Sequence, residues 1–447
     1  MANVATGPGL TGGPITSTGS VNLATTQLLP TVACATNQIA AWSGSAWICA
    51  APPPTLPTSC LDGQLLKLRA GAIVCSAAPQ TFTTVDSVGV VGQHPAIAQS
   101  AAGLPVISYF DLTNSSVKVI KCGNAACSGG NIVNTLDNSG ALGRFTSIAV
   151  PADEFPIISY SSSNNPSETA ASTLKVAKCL DVSCTGAATI TVVDNLAVAV
   201  GRHSSMAISL DGFPVISYYD VSNGNLKVAK CALATCATFT LATLDGSSGA
   251  DVGQDTSIAV AADGLPVISY FDVTNFDLKV VKCSGASCSS FATPVTVDGT
   301  GGGNNVGQNT SIAIAADGFP VIAYFDNLNA DLKVAKCVNA GCTGATVVNT
   351  VDNGAVLGVQ ASIKVPADGR PVISYARGAV NGGLIVIKCG NATCASGNVI
   401  SVVANAGILG TALMVPASDG LPVIAYAVAT NNDLRVVKCS NSGCANP

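Results

Sequence analysis

Short apolar runs separated by polar turn residues recur along the chain. The clearest copy begins with a strand-like run at Thr256–Val260 (TSIAV), turns at an Asp-Gly pair and continues into Leu265–Tyr270 (LPVISY). A third run, Leu278–Cys283 (LKVVKC), follows a polar loop, and a fourth ends near Val295–Asp298. Runs of this length bounded by Gly, Asn and Asp are typical of β-strands. The pattern therefore predicts four short strands in each repeat.

A Gly-x-Pro-Val-Ile-Ser-Tyr phrase and its variants mark this repeat seven times. The prolines of the phrase are Pro105, Pro156, Pro214, Pro266, Pro320, Pro371 and Pro422. Four strands in a unit of this length match the blade of a β-propeller, and propellers contain four to eight blades. The sequence predicts an all-β fold, a seven-bladed propeller of four-stranded blades over residues 80–447. A linear β-solenoid is the structural alternative.

The two ends of the repeat region complement each other. Only Ala-Asn-Pro follows Cys444, so the seventh copy lacks its fourth strand, whereas Thr81–Asp86 resembles the missing strand. Residues near 81–87 are therefore predicted to complete the last blade. Such closure removes the open sheet edges.

The 18 cysteines form regularly spaced pairs. Seven pairs have C-x4-C spacing and two are longer: Cys122/Cys127, Cys179/Cys184, Cys231/Cys236, Cys283/Cys288, Cys337/Cys342, Cys389/Cys394, Cys439/Cys444, Cys34/Cys49 and Cys60/Cys75. Zinc sites need clustered Cys or His, usually with C-x2-C spacing, and the chain has 2 His. We therefore expect nine local disulfides, no metal and no cofactor. Disulfides at this density indicate an extracellular location or a cell or particle surface.

Composition narrows the classes of function. With 48% hydrophobic residues the chain is too apolar for a disordered protein, and 20 Lys+Arg against 25 Asp+Glu argues against nucleic-acid binding. No apolar run approaches the ~18 residues that cross a bilayer, so membrane insertion is not expected. Two His, two Glu and no recognised catalytic motif leave little for acid–base chemistry. The prediction is therefore that the chain is not an enzyme.

The segment that precedes the repeats differs from them in amino-acid composition. Met1–Val4 lacks the charged and apolar regions of a signal peptide, so the chain is expected to be a mature portion or to be exported without one. Gly7–Ile15 (GPGLTGGPI) resembles glycine-rich segments of phage tail fibres and bacterial surface fibres. Cys34–Cys49 and Cys60–Cys75 are similar to small Gly-Gln-x-Leu-x-Trp units of such fibres. The resemblance implies a fibrous, often trimeric attachment segment at 1–30 and two disulfide-closed β modules at 31–79.

Two sets of polar residues are candidate ligand-binding positions at the propeller face. The first follows the repeat tyrosines: Asp111, Asp220, Asp272 and Asp326. Their carboxylates could bind a polyol, a glycan or a divalent cation, or they could cap tight turns. The second set departs from the repeat. Arg377 stands two residues after a repeat tyrosine, where other copies have Asp, and Arg144, Arg202 and His203 could lie near the channel mouth or in solvated loops. No residue pair is singled out as catalytic.

The leading functional prediction is a non-enzymatic extracellular fibre protein whose propeller binds a surface ligand, a cell-surface glycan or a protein. The first alternative is a structural subunit of an extracellular filament that assembles through residues 1–30. The second alternative is a glycan-acting propeller enzyme. The expected partner in the first two cases is another copy of the chain, in a trimer or a filament.

Overall fold

A computed structural model gives the fold of the chain. It describes residues 80–139, 142–163, 171–195, 199–246, 249–299, 303, 305–354, 358–378, 383–405 and 407–445, and six short strands ahead of residue 80. The chain divides into two compact units, Met1–Pro79 and Gln80–Asn446.

The first unit contains three antiparallel strand pairs. They are β1 (Leu10–Thr11) with β2 (Asn22–Leu23), β3 (Ile39–Trp42) with β4 (Trp47–Ala50), and β5 (Gln64–Arg69) with β6 (Ala72–Ala77). The Cys34/Cys49 and Cys60/Cys75 pairings and the fibre-like character of residues 1–30 lie outside what the structure describes. Assembly of copies through residues 1–30 stays a prediction.

The second unit contains seven four-stranded antiparallel sheets, which are the blades of the propeller. Blades one to three consist of β8 (Gln93–Gln99), β9 (Pro105–Asp111), β10 (Ser116–Lys121) and β11 (Ile132–Asp137); β12 (Leu142–Ala149), β13 (Ile157–Ser163), β14 (Ser172–Lys178) and β15 (Thr189–Asp194); and β16 (Arg202–Ile208), β17 (Pro214–Asp220), β18 (Asn225–Cys231) and β19 (Phe239–Asp245). Blades four and five consist of β20 (Val252–Val260), β21 (Pro266–Asp272), β22 (Asp277–Lys282) and β23 (Val295–Asp298); and β24 (Val306–Ile314), β25 (Pro320–Asp326), β26 (Asp331–Lys336) and β27 (Val347–Asp352). Blade six consists of β28 (Gly358–Lys364), β29 (Val372–Arg377), β30 (Leu384–Lys388) and β31 (Val399–Ala404).

Blade seven closes the ring with strands from both ends of the unit. It consists of β32 (Ile408–Met414), β33 (Val423–Val428), β34 (Leu434–Lys438) and β7 (Thr81–Asp86). β7 pairs antiparallel with β34, from Lys438 opposite Thr81 to Leu434 opposite Asp86. The first strands of consecutive blades contact one another around the ring, including β32 against β8. The predicted seven-bladed fold and its closing strand are confirmed.

The core lies between the blades. The second strand of each blade is buried on both faces and carries a Tyr whose side chain packs against the neighbouring blade, for example Tyr324 against Val280 and Leu278. These tyrosines are Tyr109, Tyr160, Tyr218, Tyr270, Tyr324, Tyr375 and Tyr426. Strand two of every blade is therefore a structural element, which explains why its phrase is the strongest repeat in the sequence.

Polar contacts that we call carboxylate clasps join neighbouring blades. In each clasp, an Asp at the end of strand four accepts a hydrogen bond from the Tyr hydroxyl of the next blade and pairs with a cation there. Between blades three and four, Tyr270 Oη and Lys279 Nζ each lie 2.6 Å from Asp245 Oδ2. Six boundaries have such a carboxylate: Asp86, Asp137, Asp194, Asp245, Asp298 and Asp352.

Each of the seven blades contains one disulfide bond. These bonds join Cys122–Cys127, Cys179–Cys184, Cys231–Cys236, Cys283–Cys288, Cys337–Cys342, Cys389–Cys394 and Cys439–Cys444. Each bridge closes the turn that follows strand three. The seven disulfides indicate an oxidising environment. No helix in the described parts of the chain is long and apolar enough to cross a membrane.

Candidate functional site

Six β-bulges line the central channel of the propeller. In the first strand of blade four, Gln254 pairs with Phe271 and Ser257 with Ser269, so this strand has one more residue than its partner. The bulged residue, Asp255, has a left-handed φ of 50°. The equivalent residues of blades one to six form what we call the bulge ring: His94, Phe145, His203, Asp255, Asn309 and Gln360. Bulges of this kind often turn a side chain toward an active site.

Blade seven leaves the bulge ring open on one side. Its first strand pairs residue for residue with the second strand from Gly410, opposite Ala427, to Ala412, opposite Ala425. There is therefore no extra, bulged residue at this position. A Cβ atom on Gly410 would clash with Gln360 Oε1, which shows that the Gln360 side chain reaches into this gap. The gap therefore lets the last side chain of the ring extend sideways.

The chemistry of the bulge ring differs from blade to blade although the sequence around it repeats. The two positions after the bulge are Thr-Ser in blades two, four and five, yet the bulged residues there are Phe145, Asp255 and Asn309. Asn, Asp and His are favoured at positive φ, whereas Phe and Gln are not, so the backbone conformation alone does not account for these residue types. The varied residue types point to a role in binding or chemistry.

The aromatic side chains of His94, Phe145 and His203 lie next to one another along one wall of the channel. The ring centroids of His94 and Phe145 lie 4.5 Å apart, and those of Phe145 and His203 also lie 4.5 Å apart. Burial and the nearby charges of Arg144 and His203 lower the pKa of His94 to about 3. His94 therefore stays neutral at physiological pH and is a weak base, so it contributes stacking and hydrogen bonding.

His203 and Asp255 form a hydrogen bond across a blade boundary. His203 Nδ1 lies 2.9 Å from Asp255 Oδ1, with both side chains partly exposed to the channel (23% and 18%). Asp255 Oδ2 accepts the backbone N–H of Asn309 at 2.8 Å. Burial raises the pKa of Asp255, but the charge and hydrogen bond of His203 and the Asn309 N–H outweigh it and hold this pKa below its usual value. The carboxylate is thus ionised, and it holds the imidazole through Nδ1.

The bulge ring surrounds a cavity of about 330 Å³, which is in the range of small-molecule sites. Asp255 is the only carboxylate and Lys364 the only lysine among the described residues that line it. Lys364 replaces an alanine that the same position carries in blades one to five, for example Ala313. Lys364 forms no ion pair with the described residues and is exposed to the cavity. Burial lowers the pKa of Lys364. A lysine, an imidazole–carboxylate pair and a row of aromatic rings therefore face one space.

Hydroxyl groups fix the first strands to one another and so hold the bulge ring in place. Ser257 Oγ accepts the N–H of Ile312 in the next blade at 3.2 Å, and four further serines make the same contact: Ser147, Ser205, Ser311 and Ser362. Buried hydroxyl pairs link strand one to strand two of the preceding blade, as in Thr256 Oγ1 to Ser217 Oγ at 2.9 Å. No group of three or more His, Cys, Asp or Glu in the described residues could hold a metal ion.

The four predicted aspartates are the last residues of the second strands of their blades, and none of them lines the cavity. Asp272 Oδ1 accepts the backbone N–H of Asn275 at 3.0 Å, and Oδ2 accepts Asn275 Nδ2 at 2.9 Å. The other three make the same pair of contacts: Asp111, Asp220 and Asp326. All four are buried, and each also lies 3.6–3.8 Å from a clasp lysine. Their hydrogen bonds are those of turn caps, and a ligand role for them stays a prediction.

The four predicted basic residues separate into two places. His203 belongs to the bulge ring, and Arg144 and Arg202 directly precede ring residues, with Arg144 close enough to influence His94. Arg377 is remote from the ring, because its guanidinium contacts Asp352 in the carboxylate clasp between blades five and six. Of the four, His203 alone is among the described residues that line the cavity, and a binding role for the three arginines stays a prediction.

Five ring residues were not predicted from the sequence: His94, Phe145, Asp255, Asn309 and Gln360. In each of these repeats, the ring residue directly follows the position that Arg144 and Arg202 occupy in blades two and three. When the repeats are compared, the residue type at the ring position differs from blade to blade. The second residue after it is Ser or Ala, and the third is aliphatic. The bulge that turns the ring position toward the channel is visible only in the strand register.

The propeller is similar to solved structures of other propellers. An ulvan lyase of polysaccharide lyase family PL25, bound to -[GlcA(1-4)Rha3S]-, matches with a TM-score of 0.50 and 10% identity over 79% of this chain and 93% of its own. The GH93 α-L-arabinofuranosidase of Fusarium graminearum matches with a TM-score of 0.49 and 9% identity over 80% and 96% of the two chains. No protein-family model and no curated protein match the sequence.

These structural neighbours contradict two predictions, that of a non-enzymatic fibre protein and that the chain is not an enzyme. The neighbour with the TM-score of 0.50 is a polysaccharide lyase. At 10% identity, the likeness shows the shared fold alone. The prediction was wrong because it relied on the small number of histidines in the chain. One of the two, His203, forms an oriented imidazole–carboxylate pair with Asp255 in the bulge ring.

Proposed function

We propose that the propeller cleaves an acidic polysaccharide by β-elimination, with the bulge ring as its site. The observation that carries the proposal is the hydrogen bond between His203 and Asp255, which holds an imidazole of the cavity lining through Nδ1 and leaves Nε2 the role of the base. The other histidine, His94, is held neutral and is too weak a base for this task. The similar propeller that is described as a polysaccharide lyase supports the same class of reaction.

In the proposed reaction, His203 Nε2 removes the proton next to the carboxylate carbon of a uronate residue. The electron pair forms the carbon–carbon double bond, the neighbouring glycosidic C–O bond breaks, and the imidazolium returns a proton to the departing oxygen. Lys364 pairs with the uronate carboxylate and stabilises the negative charge that develops on it. The Phe145 ring stacks against a sugar face.

Hydrolysis is less well supported by the same cavity. Glycosidases generally use two carboxyl groups about 5–10 Å apart. The described lining of the cavity has one carboxylate, Asp255, and its two oxygens are engaged by His203 and by the Asn309 N–H. Elimination needs a base and a cation instead, and the cavity contains both.

A screen of the purified chain against uronate-containing polysaccharides tests the proposal. Elimination creates an unsaturated sugar that absorbs ultraviolet light, so absorbance should rise together with new reducing ends. His203→Ala should abolish both signals, whereas Val88→Ala, on an exposed loop, should retain them. New reducing ends without ultraviolet absorbance would show hydrolysis, and an absence of cleavage of every acidic polysaccharide would contradict the proposal.

A further inference from the structure

One blade boundary lacks the acid of its carboxylate clasp. Strand four of blade six ends in Ala404, where the other six boundaries have an aspartate. The Tyr and the cation are both retained there, as Tyr426 and Arg435. The boundary between blades six and seven is therefore a clasp without its carboxylate.

The other boundaries show that the carboxylate is kept even when its partners change. In blade six, Ile385 stands where other blades have the clasp lysine, and Arg377 from the end of strand two pairs with Asp352 instead. The clasp is thus rebuilt from another position of the strand. In blade four, a second aspartate, Asp272, lies 3.6 Å from the clasp lysine Lys279. The equivalent residue of blade seven is Val428, so strand two of that blade does not replace the acid that is missing at Ala404.

Arg435 is consequently short of negative partners. Lys279 has Asp245 Oδ2 at 2.6 Å and Asp272 Oδ2 at 3.6 Å. The acidic group beside Arg435 is Asp433, whose Oδ2 lies 3.5 Å from a guanidinium nitrogen and also accepts Asn431 Nδ2 at 2.5 Å. Arg435 lies opposite Tyr426 in the sheet, and its charge opposes the rise that burial causes in the pKa of the Tyr426 hydroxyl. Arg435 Nε is buried with no hydrogen-bond partner in the described structure.

The Arg435 side chain is also more accessible than the lysines that it replaces. Its exposure is 36%, against 16% for Lys279 and 12% for Lys227, which are covered by their aspartates. A ligand can therefore reach the guanidinium from solvent. Guanidinium groups bind carboxylates in a planar, two-point geometry, and a Tyr hydroxyl adds a third hydrogen bond.

We propose that Ala404, Tyr426 and Arg435 form a binding site for a carboxylate that the protein does not itself supply. The ligand takes the place that Asp245 occupies in its own clasp, and its chemical class is a carboxylate, either free or carried by an acidic glycan. The site contains no residue of the bulge ring. It therefore stands independently of the proposed lyase activity.

Thermal unfolding of the full chain in acetate tests the site. Wild type should show a saturable rise in Tm of about one to three degrees in acetate, relative to chloride at equal ionic strength. Ala404→Asp should have a higher Tm without acetate and no response to it, because the variant supplies the missing acid. Ala404→Asn, which fills the same space without charge, should lose the response and gain no stability.

Two further variants keep the test decisive if Ala404→Asp fails to fold. Arg435→Gln should abolish the acetate response, whereas Lys279→Gln, at an occupied clasp, should retain it. Replacing acetate by glucuronate and then by polygalacturonate distinguishes the sources: a response to the monomers alone assigns a small acid, and a response to all three assigns a glycan carboxylate. An equal acetate response in wild type and Arg435→Gln, or none in wild type, would overturn the proposal.

Discussion

His203 Nδ1 lies 2.9 Å from Asp255 Oδ1, and the two residues belong to neighbouring blades. The hydrogen bond therefore depends on the relative position of blades three and four, which the serine hydroxyls between first strands fix. Both residues are bulged out of their strands, so neither side chain is committed to the packing between sheets. The pair is a rigidly placed base in a cavity that solvent can enter.

Asp255→Asn should lower kcat by on the order of 10²- to 10⁴-fold with little change in KM. The amide can keep a hydrogen bond to the imidazole, but it removes the charge that stabilises the protonated His203. Steady-state kinetics from the ultraviolet signal measure the change. Asp331→Asn is the matched control, because it makes the same chemical change in a residue that does not line the cavity. Equal losses in both variants would argue against the imidazole–carboxylate mechanism.

Asp137→Asn should destabilise the protein at neutral pH by about 2 kcal/mol, and the effect should become small at pH 2 and vanish below it. Burial raises the pKa of Asp137, but hydrogen bonds from Tyr160, Ser139 and Lys175 lower it from 3.8 to about 2. A carboxyl group with a lowered folded-state pKa stabilises above its unfolded pKa. That stability is lost as pH falls through the folded value. Urea unfolding at several pH values between 2 and 7 measures the difference.

Asp331→Asn is the control with the opposite sign. Burial and the negative charge of Asp326 raise the pKa of Asp331, so its ionisation at neutral pH opposes folding. The variant should therefore be as stable as wild type at neutral pH or slightly more stable. A loss of stability equal to that of Asp137→Asn would show that the clasp hydrogen bonds do not govern the pH dependence.

Removal of a single disulfide should cost about 2 kcal/mol, and the cost should depend on what replaces the second cysteine. The loop between Cys337 and Cys342 is short, so its closure entropy is small. Cys342 has a left-handed φ of 54°, which Gly adopts without strain and Ala does not. The pair Cys337→Ala/Cys342→Gly should thus be about 1 kcal/mol more stable than Cys337→Ala/Cys342→Ala in urea unfolding. The reverse order would contradict the turn geometry.

Strand β7 should remain bound after the chain is cut between it and blade one. A protease site that replaces Ser87 and Val88 would separate residues 1–88 from the rest. The fragment should still co-elute, because β7 pairs with β34 along its length and Asp86 binds Tyr109 and Lys118. Size-exclusion chromatography of the cut protein measures retention. Cutting a protein that also has Asp86→Ala should release more of the fragment, and complete release from wild type would contradict closure by β7.

The sequence predicts those features that recur in every blade. The seven copies of the Pro-Val-Ile-Ser-Tyr phrase predict the propeller because each copy must bury the same strand between sheets. The surplus strand at Thr81–Asp86 predicts ring closure for a similar reason, since an unpaired strand edge is unfavourable. The C-x4-C spacing predicts seven of the disulfides because so short a loop brings its own ends together.

The candidate site is poorly predicted because it depends on register and on contacts between blades. Asp255 sits in a strand-like stretch, and no sequence pattern indicates that Ser257 rather than Thr256 pairs opposite Ser269. The carboxylate clasps are likewise hidden in the sequence, because Asp245 and its partner Tyr270 belong to different blades. Residue types at the channel were thus visible in sequence, but their convergence was not.

The bulge ring also affects how this propeller can change over evolutionary time. A bulged residue is left out of the backbone ladder, so its side chain can be exchanged with little effect on the sheets around it. Six such positions, one in each of blades one to six, surround a single cavity. Selection can therefore alter the specificity of the cavity one blade at a time while the repeated framework stays the same. A library confined to these six codons would sample that diversity directly.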